Sequence, residues 1–283
     1  MKKLSVKHIE EKVMRILMVF CSLLVLAFVV SIVWTIVVKG IKSFSWEMIT
    51  QVPGKDWNTA DDGGFLNAIV GSLLVVVPAM LLATAISIPI VFYMNLYLRR
   101  SHPLSYAVRL AFDVLYGIPS IVYGAFAFTV MVLVGMRASL MGGIAVTTLL
   151  MIPMLIRSGD EISKSVPDEM VDAAYSLGAT KWETLWVITR QVLPGMITAV
   201  LLAVGKAIGD AAAVMFTAGF SDAVPDSLSD PTATLPLAIF NWIIMPEPFP
   251  DRCYSAALVL TLIVLILSLS GRWLGARFTK HNV

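Results

Sequence analysis

SVPDEMVDAAYSLGATKWETLWVITRQVLPG, residues 165–195, is a polar island in this chain, with long apolar runs on both sides. Ser165 and Asp168 have the S-x-x-D spacing of a capping box, and Pro167 stands where a first helical turn tolerates proline. Met170, Ala173, Ala174 and Leu177 recur at i, i+3, i+4 and i+7, which is one apolar helix face, with Glu169, Asp172 and Ser176 on the other. Gly178 is the residue type that ends helices in a left-handed cap. Thr180 and Glu183 make a second capping box, so a new helix starts at once. The spacing predicts two short helices with a sharp joint, a two-faced knob between membrane-embedded segments. Such a knob is either a solvated loop or a docking element for another protein.

The flanks set the class. Of 283 residues, 58% are hydrophobic and 14% charged, whereas ordinary soluble domains carry roughly 25% charged residues. Apolar runs of about 20 residues cross a bilayer, and six are present: 16–38, 65–97, 107–134, 140–156, 192–220 and 254–273. The pattern predicts an all-α polytopic membrane protein, with an N-terminal segment 1–15, a six-helix domain 16–278 and a tail 279–283. Pro78 and Pro89 predict a kinked or split second span. The basic N-terminus precedes a run too long for a signal-peptide core, so the first run reads as a retained span.

Lys and Arg orient the chain. With the N-terminus inside, the inner segments hold Lys2, Lys3, Lys7, Lys12, Arg15, Arg99, Arg100, Arg109, Arg157, Lys164, Lys181, Arg190, Arg272, Arg277 and Lys280. The outer segments hold only Lys39, Lys42, Lys55, Arg137 and Arg252. Both termini and the 165–195 knob are therefore expected in the cytoplasm. A net charge of +2 gives no footprint for nucleic acid. Cys21 and Cys253 fall in different layers, and His8, His102 and His281 have no ligand spacing, so no disulfide or metal site is expected. The outer loops carry Trp46, Trp57, Trp242 and Phe249, either as an aromatic belt or as a rim for an outside protein.

No catalytic constellation and no G-x-x-x-x-G-K-[ST] is present, so neither enzymatic chemistry nor ATP binding by a P-loop is expected. Charges inside a membrane default to function. Lys206 and Asp210 lie at i, i+4 in the fifth span. Either the pair neutralises itself, or Lys206 offers charge to an anion while Asp210 tunes it. Gly205 and Gly209 suggest close helix approach there. In the third span, Gly117-Ile118-Pro119-Ser120 should interrupt the helix, as an ordinary kink or as a place where backbone N–H groups and the Ser120 hydroxyl meet an oxyanion.

Asp172-Ala173-Ala174, Gly178 and Ile188 resemble the EAA signature of ABC-transporter permeases, with Asp172 in place of the usual Glu and Leu193-Pro194 slightly later than usual. GIPSIVYG at 117–124 resembles a motif of the phosphate-specific permeases of the PstA/PstC type. So do GFLNAIVGSL at 64–73, IGDAA at 208–212 and LPLAIFNW at 235–242, the last being nearer the PstA type. The resemblance covers roughly residues 60–278. It implies a type I ABC importer permease fold in a bacterial plasma membrane, without a cofactor of its own, for inorganic phosphate. It implies a PstC-type second permease, a PstB-type ATPase dimer, a PstS-type phosphate-binding protein outside and membrane lipid around the spans. It places Glu169, Asp172, Ala173, Ala174 and Gly178, in a coupling loop of about 159–190, against the ATPase. It places Lys206 and Asp210, where the family usually has Arg and Glu, and Ser120 along the substrate pathway. A permease for molybdate or sulfate, or a stand-alone secondary transporter using Lys206–Asp210 as an ion relay, is the alternative.

Overall fold

The computed structural model describes residues 2–54, 63–97, 103–245 and 250–279; Trp57, Phe249, His102 and His281 lie outside them. Among the described residues the fold is helical. Helix α1 is Lys2–Ser43, α2 Trp46–Thr50, α3 Leu66–Phe92, α4 Pro103–Gly117 and α5 Ser120–Leu133. Helix α6 is Leu140–Lys164, α7 Asp168–Ser176, α8 Lys181–Ile208, α9 Leu235–Ile244 and α10 Pro250–Thr279. Helices α1, α3, α6, α8 and α10 are each long and apolar enough to cross a membrane. Helices α4 and α5 meet at 98° across Ile118-Pro119, and as one broken span they make the sixth.

The break has a local cause. Proline disfavours the α region for the residue before it and brings no N–H of its own. Ile118 leaves the helix, and Pro119 becomes the N-terminal flank of α5. The Tyr123 hydroxyl donates to the Leu115 carbonyl at 2.8 Å and ties the two halves across the bend. The second span behaves differently. Pro78 and Pro89 lie inside a continuous α3, which widens only at its end into a π-helical turn, Tyr93–Tyr97.

The fifth span is shorter at its C-terminal end than the apolar run 192–220 suggests. Helix α8 stops at Ile208 with Gly209 as its flank. The Asp210 carboxylate then accepts from the Ala213 N–H at 3.0 Å and starts a separate turn. Residues 211–220 are apolar because they are buried, with Ala213, Val214 and Ala218 almost fully enclosed, and not because they continue the helix. Helix α8 instead begins at Lys181, so the second short helix expected in the knob is the first turns of a membrane span.

The centre of the bundle is α3, α6 and α8. Val75, Ala79 and Ala83 of α3 pack against Val146, Met151 and Leu155 of α6 and Ala203 and Ala207 of α8. A second core at the start of α3 joins Phe65, Ala68, Leu235, Ala238 and Trp242, with the Phe65 and Trp242 rings 6.2 Å apart. Trp242 is thus core and not rim, while Trp46 is exposed. The extended loop 221–234 closes the N-terminal end of α6: Leu140 N–H donates to Asp230 O and Met141 N–H to Leu228 O, satisfying first-turn donors. Cys21 and Cys253 are both free thiols.

Candidate functional site

Two regions carry the sequence candidates. The first is the bend between α4 and α5. Tyr116 is the penultimate residue of α4, directly before the break, and is exposed. The Lys206 ammonium of α8 rests 5.2 Å from the centre of its ring, and the Arg157 guanidinium of α6 lies 5.2 Å from the same centre. Arg157 also pairs with Asp113 of α4 at 2.9 Å. Three helices therefore converge on one aromatic ring with two cations.

Lys206 and Asp210 are not joined by an ion pair among the described residues. The Asp210 carboxylate is turned to the Ala213 N–H, one residue past the end of α8. Self-neutralisation fails because the helix that would set the i, i+4 geometry ends between the two residues. Gly205 and Gly209 are not close-approach positions either: a Cβ on Gly205 would meet nothing nearer than Ser268 Oγ at 3.9 Å. Ser120, half-buried, opens α5 on the far side of the break from Tyr116. An apolar groove of about 410 Å³, lined by Leu115, Ile118, Val122, Phe126, Leu149 and Pro153 among others, runs beside the bend. Such a lining offers nothing to an anion.

Below this cluster lies an ionic clamp. The carboxylate of Asp160 in α6 takes a bidentate pair from Arg109 of α4, at 3.0 and 3.1 Å. It also meets Lys164 Nζ at 2.6 Å and Asn95 Nδ2, from the π-helical turn, at 3.1 Å. Its side chain is 9% exposed and that of Arg109 17%. Arg109 further donates to the buried Ser105 hydroxyl at 2.6 Å. A polar cavity of about 110 Å³ opens between clamp and bend, lined by Arg109, Asp113, Arg157, Asp160, Glu161 and Lys164. The Asp160–Lys164 spacing of four was visible in the sequence; its pairing with Arg109 and Asn95, 51 and 65 residues away, left no local signal.

The second region is the knob. The Thr180 and Glu183 capping box forms in both directions: Thr180 N–H donates to Glu183 Oε2 at 2.7 Å, and Glu183 N–H to Thr180 Oγ1 at 3.3 Å. Gly178 has φ +82°. Its N–H donates to Tyr175 O and the next N–H to Ala174 O, which together close α7 in a Schellman motif. The first capping box does not form, because the Ser165 hydroxyl turns back to Ile162 O and Pro167 flanks α7 without a side-chain cap. The apolar face of α7 is also divided. Met170 and Val171 pack on Val166, Ile188 and Val192, the root of the knob. Ala173 is exposed and Leu177 is 89% exposed. Glu169, Asp172 and Gly178 are exposed and Ala174 is half-buried. Trp182 and Trp186, edge to face at 6.4 Å, are exposed on the first turns of α8.

Residues 87–281 match the family described as "binding-protein-dependent transport system inner membrane component". The chain is 32% identical over 282 residues to the phosphate transport system permease protein PstA of Yersinia pestis, covering 99% of this chain and 94% of that one. It is 31% identical over 244 residues to the protein of the same name from Pasteurella multocida, covering 85% of each. Among solved structures, an inward-facing MetNI methionine ABC transporter matches with a TM-score of 0.61 over 75% of this chain and 95% of that chain, at 15% identity. That likeness speaks to the fold alone.

Proposed function

Because the chain belongs to the binding-protein-dependent transport system inner membrane components, and among them to the PstA phosphate permeases, we propose that it passes phosphate along the Lys206 face of the α4–α5 bend. The protein is the membrane-spanning permease subunit of an ATP-driven phosphate importer. It works with an ATPase and with a substrate-binding protein. In the finer reading, the second permease is of the PstC type, the ATPase dimer of the PstB type and the binding protein of the PstS type. Helices 16–278 form the permease domain, both termini lie in the cytoplasm, and the Lys and Arg asymmetry supports that orientation.

One observation carries the pathway assignment. Lys206 is a cation within a predicted span, it faces an aromatic ring, and it has no carboxylate partner among the described residues. An uncompensated charge in a membrane segment is costly, and an anion completes it. Lys offers a point charge where Arg would offer a two-pronged fork, which suits a ligand that must leave again. Ser120 opens α5 beyond the bend and supplies a hydroxyl at that helix start. Asp210 shapes the outer wall through its turn.

Coupling runs through the knob. Glu169, Asp172, Ala173, Ala174 and Gly178, together with the exposed Leu177, form the surface offered to the ATPase. When the ATPase dimer closes, the knob moves with the inner ends of α6 and α8. The clamp at Asp160 carries that movement to α4 and so to the bend, alternating access between the two sides. The names of the relatives favour phosphate over molybdate or sulfate. ATP-dependent uptake of labelled phosphate by the reconstituted complex tests the reading. Lys206→Gln should abolish uptake while assembly and ATPase binding persist; unchanged uptake would remove Lys206 from the pathway.

A further inference from the structure

Both cations lie over the ring of Tyr116. We propose that Tyr116 is a positioning residue for the anion site: its ring holds Lys206 and Arg157 at rest, and an arriving oxyanion draws them off it. The inference rests on the reading of Lys206 as the pathway cation.

Three observations lead there. Lys206 and Arg157 each lie 5.2 Å from the ring centre, so the two cations are no more than twice that distance apart although they come from α8 and α6. A single tetrahedral oxyanion can engage both only by drawing each cation in from its place over the ring. The partners they hold at rest are weak or replaceable. A cation over a partly exposed ring is held by about 0.5–1 kcal/mol, which converts to about two- to five-fold in an equilibrium. The Arg157–Asp113 pair is 53% exposed on both sides, in the class of ion pairs worth little. Charge-assisted hydrogen bonds to an oxyanion are stronger than either. Finally, Tyr116 stands at the end of α4, directly before the break, so any tilt of α4 moves the ring against the two cations.

A resting platform of this kind does two things. It keeps two like charges oriented while the site is empty. It also competes weakly with the anion, so recapture of the cations helps release. The ring is the working part, and the hydroxyl is not needed.

The test is a ring series in the permease–ATPase complex, read by equilibrium binding of labelled inorganic phosphate without the binding protein, and by uptake turnover with it. Tyr116→Leu removes the ring and should bind phosphate about five-fold more tightly while turnover falls about five-fold. Tyr116→Phe keeps the ring and should match the native chain within about two-fold, and Tyr116→Trp, the strongest cation–π ring, should bind more weakly than native. If Tyr116→Leu fails to assemble, the Phe and Trp variants still decide. Affinity that ignores the ring across the series overturns the proposal. Lys206→Gln serves as the control. If it binds and carries phosphate normally, the pathway reading itself falls; if it loses both while the ring series stays flat, only the role of Tyr116 falls.

Discussion

Asp160→Ala is the sharpest single test of the bundle. The carboxylate is 9% exposed and holds groups from three places: Arg109 of α4, Lys164 of its own helix and Asn95 of the π-helical turn. Removing it leaves Arg109, 17% exposed, without its carboxylate partner. Breaking a buried ion pair from one side costs about 3–5 kcal/mol. Lys164 is 38% exposed and can turn to water, which places the cost near the lower end, about 3 kcal/mol. Asp160→Asn keeps one acceptor and loses the charge, for about 1–2 kcal/mol. Reversible unfolding by SDS in mixed micelles measures these differences. A cycle with Arg109→Met should show the two positions coupled by more than about 1.5 kcal/mol, since independent sites add within about 0.5 kcal/mol. Asp160→Ala should also lower phosphate uptake more than phosphate-independent ATPase activity, because the clamp ties α4 to the C-terminal end of α6. A loss below about 1 kcal/mol, or additive singles, would refute the clamp as the joint between knob and bend.

Gly71→Ala should destabilise the fold by several kcal/mol, because a Cβ there runs into the Ala233 carbonyl and Thr232, while Gly205→Ala should be neutral or add about 0.5–1 kcal/mol of helix propensity in open space; the same unfolding assay separates them. Gly178→Ala places a side chain at φ +82° and should cost about 1–2 kcal/mol, and Thr180→Ala should cost about 1 kcal/mol. Both should weaken stimulation of the ATPase by the permease, measured as hydrolysis in the assembled complex. Asp230 accepts from the Ser227 N–H at 2.8 Å and the Asp226 N–H at 3.0 Å, and these donors hold its carboxyl below the usual value of 3.8. A lowered folded pKa contributes stability that is present above 3.8 and lost as pH falls through the folded value. Native protein should therefore lose more stability on acidification below that point than Asp230→Asn, as followed by thermal melting across pH.

The span count was legible because apolar length is a local property: each long helix coincides with an apolar run, and the one broken span lies at the only Gly-Ile-Pro-Ser. The knob was legible where its signals are local too, at Gly178 and at Thr180 with Glu183. What escaped the sequence depends on distant partners. Residues 211–220 read as span because burial in a turn and burial in a helix select the same side chains, and only the Asp210 cap distinguishes them. The face of α7 read as uniform because periodicity does not show which apolar residues find cover; Met170 does and Leu177 does not. Arg109 and Arg157 counted only as inward charge, since nothing near them in the chain announces Asp160 or Tyr116.

The attachment of α1 has a consequence for biogenesis. Among the described residues, this helix is held at its C-terminal end by α10: Gly40 crosses against Tyr254 and Leu258, Ser43 meets Ser255 at 3.0 Å, and Lys39 meets Tyr254 at 3.3 Å. These contacts join residues more than 210 positions apart, and the most apolar stretch of α1 is unburied within the chain. Helix α1 therefore docks only after α10 has been made. Until then it waits in lipid as a separate hydrophobic rod, and a nascent chain arrested before residue 254 should leave it open to capture by another subunit.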